Sequence, residues 1–581
     1  MELLFYDIEC FKYDSLVVFK RLDGSIYKYM WYSDDTEFWA NEIGNIIGSY
    51  QLAGYNNYYY DDKILTLMSR GAPQNVIKAN NDALISGEDI RLELCLNSID
   101  VMQQIDVSKP SLKQIEGNMG MSILESSVPF DIDRPLTKDE REEALYYCCH
   151  DVDATIEVYK LRKDSYFTVK EELLKMQDSD IGQRWNTTSI IADILIPERG
   201  KYQKLRHIYM VDKEYRQEYP FIPKEAWEVW SKANIENVPR DASLTINKFG
   251  CEVTFGFGGL HGAPSKPIRC ENVMLLDVGS MYPSIIVNLE SLGVSTNIYD
   301  DIRKERLRIK HSDPVKATAL KLILNSTYGL LKNNYSMLYN PKASSQVCIY
   351  GQIALYDLCI RLDALGYRII NINTDGVAFD DPLRIGDKLG DLYKEAWKDW
   401  EAEYKLTLEL DTFDLWIQRD VNNYIATKGD HVKVKGGDVN KAFNNKYFSN
   451  NSARILHQGL VYALIHRDEP TWQNSNLLYW LYEKLDDPLL FQYILKAGRT
   501  FKGVYDSEGN KLQNVNRVFA CKSDGTSLRK VRQDGGYVKF PDAPERMYIW
   551  NDDVSKLKNL GSILDINHYY QLILRKLENW T

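Results

Sequence analysis

The cysteines show none of the patterns that are typical of metal or disulfide chemistry. Nine of them are spread over 581 residues, and no two form a Cys-x-x-Cys pair. Structural zinc sites and disulfide frameworks usually depend on such regular spacings. We therefore expect neither, and we expect reduced thiols, which is their ordinary state in the cytoplasm.

The chain also lacks a long apolar run, a low-complexity tract and an internal repeat. Its first residues, MELLFYDIEC, do not show the basic region and apolar stretch of a signal peptide. A transmembrane helix needs about 20 mostly apolar residues, and the sequence has no such stretch. These absences exclude repeat arrays and predict a protein without a membrane partner.

An excess of positive charge is missing too. The 71 basic residues are outnumbered by 82 acidic ones, and the net charge is −11. Proteins that passively coat nucleic acid are usually basic, because they neutralise many phosphates. The charge argues against that class, whereas an enzyme with acidic metal sites and a local basic groove can be acidic overall. At this length the chain needs several domains.

Two aspartates stand at the ends of separate β-rich runs. The run VMLL, 273–276, ends at Asp277, and the run YRIININ, 367–373, is followed by Asp375 and Gly376. If the two strands lie side by side, both carboxylates enter one cleft, where they can hold two Mg²⁺ ions about 4 Å apart. Either aspartate alone is more often a turn or cap residue, so the argument depends on the pair.

A predicted helix between these aspartates has basic, amide and aromatic residues on one face. In KLILNSTYG, Lys321, Asn325 and Tyr328 are spaced i, i+4 and i+7. Upstream, Arg306 and Lys310 share a face, and the His-Ser-Asp-Pro sequence that follows them predicts a turn between two helices. Such faces offer cations to a triphosphate and a flat ring to a base pair, although a solvated helix face carries similar residues.

Three segments near the N-terminus combine carboxylates with a tyrosine or an asparagine in short spacings. They are Asp7-x-Glu9, Asn57-x-x-Tyr-Asp61 and Tyr147-x-x-x-Asp151. Each spacing is common by chance, and surface or capping residues are the plain interpretation of each. Together, however, the four carboxylates could hold two metal ions, and the tyrosine could orient an attacking water.

The ordered segments resemble two known sets of motifs. LLDVGSMYPSII, KLILNSTYG and NINTDGVAF are similar to the polymerase motifs of the family B DNA polymerases, and the N-terminal segments are similar to the motifs of DEDDy 3′–5′ proofreading exonucleases. The resemblance implies an α+β multidomain fold, with an RNase H-like exonuclease domain and a right-hand polymerase of palm, fingers and thumb. It implies two Mg²⁺ ions in each active site, with Mn²⁺ as an alternative, and a DNA contact for Asn57.

The resemblance also implies roles for residues around the aspartate pair. The carbonyl of Val278 would join Asp277 and Asp375 as a metal ligand, and Tyr282 would lie under the incoming sugar and exclude ribonucleotides. The family usually has Asp-Thr-Asp-Ser where this chain has Asn-Thr-Asp-Gly, 373–376. The principal aspartate is kept, so we expect activity with an altered metal preference or fidelity.

Other segments are candidates for DNA contacts. The glycine-rich TFGFGGLHGA, with Gly258 and Gly259, resembles a template-contacting loop of the family, and an ordinary hairpin explains it equally well. Tyr424 matches the tyrosine of the family's primer-holding hairpin. The lysine of that pattern is absent, and Lys433 or Lys435 are the candidates to replace it.

The resemblance predicts the division of the chain. We expect an exonuclease domain at 1–165, a linking region at 166–245, palm segments at 246–300 and 334–440, fingers at 301–333, and a thumb with the C-terminal region at 441–581. The short fingers leave no room for a strand-displacement insertion, and the early first motif leaves none for a further N-terminal domain. This compact plan is similar to that of phage and plasmid polymerases.

The sequence therefore predicts a template-directed DNA polymerase with 3′–5′ proofreading that replicates phage or plasmid DNA in the cytoplasm of a host cell. Its partners would be primer–template DNA, dNTPs and replisome proteins. Two alternatives stay open. One is a 3′–5′ exonuclease with a decayed polymerase site, which Asn373 suggests, and the other is a non-catalytic DNA-binding replisome protein. The retained carboxylates and the basic helix argue against both.

Overall fold

The computed structural model describes residues 1–94, 96–177, 182–196, 218–232, 242–381, 392–443, 452–541 and 543–580. In these ranges the chain is a mixed α/β protein with four β-sheets. The prediction of a mixed fold is confirmed in this coarse form, and the division into named domains stays a prediction. Part of the linking region 166–245 lies outside the described residues. No helix in the described ranges is long and apolar enough to cross a bilayer.

The N-terminal sheet has five strands in the order β3-β2-β1-β4-β5. They are β1 (Leu3–Cys10), β2 (Ser15–Lys20), β3 (Ile26–Trp31), β4 (Gln51–Gly54) and β5 (Ser98–Asp100). The central β1 is antiparallel to β2 and parallel to β4. Its alternate residues enter two cores, with Leu4 and Tyr6 on one face and Phe5 on the other. Because side chains alternate along a strand, Asp7 and Glu9 lie on the same face of β1 as Phe5.

Five helices accompany this sheet. They are α1 (Thr36–Ser49), α2 (Asp61–Ser69), α3 (Gln74–Ser86), α4 (Leu112–Met119) and α5 (Lys138–Arg162). Helix α5 begins at a capping box formed by Thr137 and Glu140. It packs on β1 and places Cys148 in the same core as Phe5. The helix therefore brings Asp151 to the face of β1 that carries the acidic residues.

The largest sheet has nine strands in the order β14-β13-β12-β9-β11-β10-β8-β7-β6. They are β6 (Leu244–Lys248), β7 (Cys251–Phe255), β8 (His261–Ala263), β9 (Ile268–Val278), β10 (Arg368–Asn373), β11 (Gly376–Asp380), β12 (Leu408–Asp420), β13 (Asn423–Lys428) and β14 (His431–Lys435). On β9, Met274 and Leu276 belong to the helix-packed core, and Val273 and Leu275 to a separate cluster. Because side chains alternate along a strand, Asp277 lies on the same face as Val273 and Leu275, away from the helix-packed core.

The two strands that precede the aspartates, β9 and β10, do not lie side by side. β11 pairs with β9, with Gly376 opposite Asp277, and β10 lies beyond β11. The reason is a tight turn, in which Thr374 has a φ of 55° and Asn373 pairs with Gly376. This turn folds β10 and β11 into a hairpin, so the residues after the turn reach β9. The aspartates still lie together because Asp375 belongs to the turn.

Among the described residues, eight helices lie between the N-terminal sheet and the C-terminal region or pack on the large sheet. They are α6 (Thr168–Lys175), α7 (Thr187–Ile194), α8 (Lys224–Ser231), α9 (Met281–Asn288), α10 (Thr296–Ile309), α11 (Pro314–Lys332), α12 (Pro341–Ala364) and α13 (Tyr393–Tyr404). The turn expected between α10 and α11 is present, with the Asp313 side chain accepting from the Lys316 amide. Helix α10 begins at Thr296, ahead of the predicted boundary at residue 301.

The C-terminal region has its own core. Its strands are β15 (Tyr493–Lys496), β16 (Phe501–Tyr505), β17 (Lys511–Leu512), β18 (Val515–Ala520), β19 (Arg529–Arg532), β20 (Tyr537–Lys539) and β21 (Met547–Ile549). They form the sheets β15-β18-β21 and β17-β16-β19-β20. The helices are α14 (Ile455–His466), α15 (Asn474–Glu483), α16 (Leu560–Ile563) and α17 (Ile566–Glu578). Leu460, Leu481 and Ile573 are buried between them.

Candidate active sites

A first site, called the central site, consists of Asp277, Asp375 and the cavity beside them. The end of β9 and the β10–β11 turn build it. The Val278 amide donates a 2.7 Å hydrogen bond to the carbonyl of Asp375, and Gly376 lies opposite Asp277 in the sheet. The structure therefore brings both predicted carboxylates and Val278 to the same edge of the nine-stranded sheet.

The electrostatics of the central site fit a cation. Burial, together with the charge of Asp375, raises the pKa of Asp277 to about 6. Burial also raises the pKa of Asp375, while the positive charges of Lys435 and Lys433 lower it. A half-buried carboxylate beside a second one is costly when both are ionised, and a divalent cation removes that cost. The oxygen donors are those that Mg²⁺ prefers.

Glycines determine how closely this site is packed. A Cβ at position 376 would lie 2.1 Å from Asp277 Oδ1, so Gly376 leaves the space that this carboxylate fills. Gly259 has a φ of 127°, and a Cβ there would lie 3.1 Å from the Thr374 side chain. Packing against the turn thus accounts for Gly259, whereas Gly258 has open space around it. A DNA contact by either residue stays a prediction.

A cavity of about 610 Å³ opens beside the carboxylates. Helices α10 and α11 contribute cationic and amide side chains to its wall, namely Arg303, Arg306, Lys310, Lys321 and Asn325. Asp277, Asp375 and Tyr282 line the same cavity. The predicted basic faces of both helices therefore meet the aspartate pair in one space. That combination suits a ligand with several negative charges next to a metal.

Two aromatic residues pack together at the cavity. The ring centroids of Tyr282 and Tyr328 are 4.3 Å apart, with an angle of 41° between the planes. Lys332 Nζ lies 4.5 Å from the centroid of Tyr328. On α11 the side chains of Lys321 and Asn325 are exposed, whereas Tyr328 is half-buried. Tyr328 is thus fixed in position by its neighbours, as a surface that orders a base would need to be.

The hairpin of β13 and β14 lies near the aspartate pair. Tyr424 is buried and stacks on Trp416, with centroids 4.4 Å apart. Lys433 and Lys435 alternate along β14 and therefore share a face. Their charges lower the pKa of Asp277 and Asp375 respectively. The two lysines are thus close enough to the aspartate pair to act on it electrostatically, and their replacement of the missing lysine, with its contact to DNA, stays a prediction.

A second site, called the N-terminal site, consists of Asp7, Glu9, Asp61 and Asp151. One ligand atom each of Asp7, Glu9 and Cys148 lies within 4.8 Å of the other two. The Cys148 thiol donates to the Asp7 carboxylate over 3.8 Å. The charge of Asp151 raises the pKa of Asp7. The structure thus brings the first and third predicted segments together.

The second segment contains two adjacent aspartates with different surroundings. Asp62 is fully buried and saturated by four donors, which are Tyr6 Oη, Asn57 Nδ2, Ser98 Oγ and Arg184 Nη2. Asp61 is 4% exposed, and its Oδ1 has no hydrogen-bond partner among the described residues. A buried carboxylate oxygen without a donor is costly unless a proton or a cation satisfies it. Asp61 therefore fits a metal ligand, and Asp62 has a structural role.

The predicted DNA contact of Asn57 does not agree with its position. The side chain is fully buried, and its amide donates 2.9 Å to Asp62. Asn57 therefore orders the loop that presents Asp61. At the central site, Asn373 has a comparable role, because its amide donates to the Val421 carbonyl over 3.3 Å.

Helix α4 adds two charged residues to the N-terminal site. Lys113 forms ion pairs with Asp151 and, over 3.2 Å, with Glu116. Lys113 Nζ also lies 4.6 Å from the centroid of the Tyr147 ring. Burial raises the pKa of the Tyr147 hydroxyl, so this group stays protonated and can donate a hydrogen bond. Lys113 thereby links the predicted tyrosine to the carboxylate of the same motif.

Charge at the N-terminal site costs folding free energy when no metal is bound. Burial and the charge of Asp151 raise the pKa of Asp7 to about 7, from an unfolded value near 4. The folded state thus binds a proton more tightly, and stability falls as the pH rises through this window. We expect Asp7→Asn to raise the Tm in EDTA by about 2–4 °C at pH 8 and to change it little at pH 4. Thermal unfolding at both pH values measures this.

Asp23→Asn is the control for this stability prediction, because Asp23 is exposed and hydrogen bonds to Ser25 lower its pKa. It should not raise the Tm at pH 8. An Asp7→Asn protein that unfolds at or below the temperature of the unmodified protein at pH 8 would contradict the electrostatic account.

Comparisons with known proteins add a likeness to solved structures. Neither a protein-family model nor a curated protein matches the chain. Among solved structures, it is similar to the family B DNA polymerase from the hyperthermophilic archaeon Pyrobaculum calidifontis, with 12% identity and a TM-score of 0.43, over 100% of this chain and 78% of that one. A likeness at this level carries no argument. The functional case therefore depends on the residues of the two sites.

Several residues at the sites are not apparent from the motifs. Arg303 lines the cavity, and its spacing of i, i+3 and i+7 with Arg306 and Lys310 could have indicated it. Glu409 lies opposite Asp277 in the β9–β12 pairing and lines the same cavity. Glu409 and Lys113 carry no local signal, because only long-range pairing and packing bring them to the carboxylates.

Proposed function

We propose that the chain is a template-directed DNA polymerase with a 3′–5′ proofreading exonuclease. The observation that carries the proposal is the central cavity, in which Asp277 and Asp375 meet the cationic faces of α10 and α11. A carboxylate pair for metal ions and a row of cations for a triphosphate are the parts that nucleotidyl transfer needs. Primer–template DNA and dNTPs would be the substrates, and replication of phage or plasmid DNA stays a prediction from the sequence.

At the central site, Asp277, Asp375 and the Val278 carbonyl would hold the metal ions. Bound Mg²⁺ supplies activation of the primer hydroxyl and charge neutralisation at the triphosphate. Arg306, Lys310 and Lys321 would bind the phosphate oxygens. Arg306 and Lys321 lie on helices and Lys310 directly follows α10, so the backbone holds all three at the cavity in advance. Tyr282, fixed against Tyr328, would limit the space at the sugar and favour dNTPs over ribonucleotides.

At the N-terminal site, Asp7, Glu9, Asp61 and Asp151 would hold metal ions that promote attack of water on a terminal phosphodiester. Such binding would give the Oδ1 of Asp61 a partner. It would also offset the cost of ionising Asp7, whose pKa is raised by burial. Tyr147 would orient the attacking water, since its hydroxyl remains protonated. A frayed or mismatched primer end is the substrate that this arrangement suits.

Template-directed extension tests the proposal. Four duplexes that differ only in the first unpaired template base are each offered one dNTP with Mg²⁺. We expect extension only by the complementary dNTP, and shortening of the primer when dNTPs are omitted. Addition without regard to the template, or no addition with Mg²⁺ or Mn²⁺, would contradict the polymerase assignment.

A 3′–5′ exonuclease without synthesis is the second candidate. The four carboxylates of the N-terminal site, three of them buried, favour it, and so does the amide at Asn373, where the resembling family has a carboxylate. Primer shortening that depends on Asp61, together with no extension under any metal condition, would select this candidate.

Gly376 provides a specific prediction for the central site. Gly376→Ser introduces the serine that the family B polymerases usually have at this position. Its Cβ, however, would lie 2.1 Å from the present position of Asp277 Oδ1. We expect synthesis to fall by about 10–100-fold, because a metal ligand displaced by about 1 Å loses its productive position. Single-turnover dNTP incorporation measures the rate.

Gly437→Ala is the matched control, since a Cβ there meets no atom within 4 Å. It should extend primers at the normal rate. If Gly376→Ser did so as well, the position of Asp277 would not depend on this glycine.

A further inference from the structure

Helix α4 lies between the N-terminal site and the C-terminal region. On one side, Lys113 pairs with Asp151, and Glu116 lies 3.7 Å from His150. Ile115 packs in the core beneath β1. The position of α4 therefore fixes two of the charged residues around the predicted nuclease carboxylates.

On its other side, α4 is held by a buried arginine of the C-terminal region. Arg517, on β18, is 0% exposed. Its guanidinium donates to five neutral oxygens, which are Gln492 Oε1, Trp550 O, Asp552 O, Gly117 O and Met121 O. Burial of this charge is expensive, although the carboxylates of Asp553 and Glu116 offset part of the cost. The hydrogen bonds that satisfy the guanidinium therefore impose a defined geometry on the segments that they join. The last two of these acceptors belong to α4 and the loop after it.

The two segments also approach each other closely. A Cβ at Gly117 would lie 2.8 Å from Ile494 Cδ1 and 3.0 Å from Ile123 Cδ1. Ile123, Ile494 and Val515 form a small buried cluster of their own. A larger residue at position 117 would require the ends of the Ile494 and Ile123 side chains, or α4 itself, to move.

Further hydrogen bonds close the same interface. They are Lys496 Nζ to Gln114 Oε1 (2.9 Å), the Asn514 amide to Glu125 (2.8 Å), the Ile123 amide to the Asn551 carbonyl (2.7 Å) and the Val554 amide to the Gly120 carbonyl (2.9 Å). Three of the four use backbone groups, so they fix the path of the chain from α4 to Glu125. These hydrogen bonds thus join the C-terminal region to α4, the helix that carries Lys113 and Glu116 of the N-terminal site.

We propose that Arg517 and β15 are positioning elements of the nuclease: they hold α4 so that Lys113 and Glu116 face the carboxylates. This inference rests on the proposed nuclease function. In this chain the C-terminal region, where the thumb is predicted, is also a structural part of the degrading site. A disturbance of its contact with α4 therefore affects degradation more than synthesis.

The test introduces a single methyl group at the contact. Gly117→Ala favours the helix itself, but its Cβ would lie 2.8 Å from Ile494 Cδ1, so the Ile494 side chain or α4 must shift. We expect degradation of single-stranded DNA to fall by about 10-fold, with extension unchanged. Hydrogen exchange of the α4 amides, measured by mass spectrometry, should accelerate. In Gly117→Ala/Ile494→Val the Cδ1 atom is absent, and both degradation and protection should recover. Ile494→Val alone is the control.

Normal degradation and exchange in Gly117→Ala would overturn the inference. So would equal losses of degradation and extension, or a failure of Ile494→Val to rescue. Hydrogen exchange needs no catalysis, and it reports on α4 even if the unmodified protein does not degrade DNA. In that case the nuclease function fails by itself, and unaltered exchange would refute the positioning contact separately.

Discussion

Asp277→Asn is expected to reduce primer extension by at least about 10³-fold and to leave degradation of single-stranded DNA unchanged. The substitution keeps the size of the side chain but removes a charge that would stabilise a metal ion, and such stabilisation is worth several kcal/mol at the transition state. The fold should persist, because burial and Asp375 already make this charge costly in the absence of metal. A labelled primer–template assay with and without dNTPs measures both activities in one preparation.

Asp363→Asn provides the control for the central site, because this aspartate is exposed near the end of α12. It should extend and degrade at normal rates. Extension that survives in Asp277→Asn within about tenfold of normal would remove Asp277 from the metal site. The carboxylate pair would then be a structural feature of the sheet edge.

Asp61→Asn and Asp62→Asn form a matched pair with the opposite expected effects. We expect Asp61→Asn to lower degradation by at least about 10³-fold without loss of stability, because its Oδ1 has no donor to lose. Asp62→Asn removes the anion that pairs with the half-buried Arg184 and places an amide group among donors that need an acceptor, so it should destabilise the fold by about 1–3 kcal/mol. Single-stranded DNA degradation and denaturant unfolding separate the two effects.

The unmodified protein and Asp7→Asn give the reference values for this pair. A stable Asp62→Asn protein with no nuclease activity, beside an active Asp61→Asn protein, would reverse the assignment of ligand and structural aspartate. Extension should be normal in Asp61→Asn, since Asp61 lies in the N-terminal site and the cavity residues do not include it.

The sequence predicts the elements that carry the sites better than it predicts their pairing. The apolar run before Asp277, the basic helices and the turn between them are local patterns, and the structure has these elements. The identity of the strand next to β9 is harder to predict, because the turn at Thr374 and Asp375 decides which strand of the β10–β11 hairpin pairs with β9. That choice depends on contacts between segments that are far apart in the chain, and no local sequence pattern indicates it.

The two adjacent aspartates show the same limit within one motif. Asp61 and Asp62 are equivalent in the sequence, and the position of the Tyr-Asp spacing favours Asp61. What separates them physically is Arg184, which reaches Asp62 from the segment before α7. Lys113 and Glu409 likewise reach the carboxylates only through tertiary packing. Residues of this kind cannot be recognised from motif spacing.

Conversion of a dNTP to its monophosphate on a matched duplex tests the central claim most directly. The nucleotide must first be inserted and then removed, so the reaction needs both sites of one chain. We expect steady formation of dNMP from the complementary dNTP with Mg²⁺, and its loss in Asp277→Asn and in Asp7→Asn alike. The dNTP carries the label, so that dNMP released from the primer itself is not counted. Labelled dNMP that still forms in Asp277→Asn, or none from the unmodified protein, would contradict a polymerase with its own proofreading nuclease.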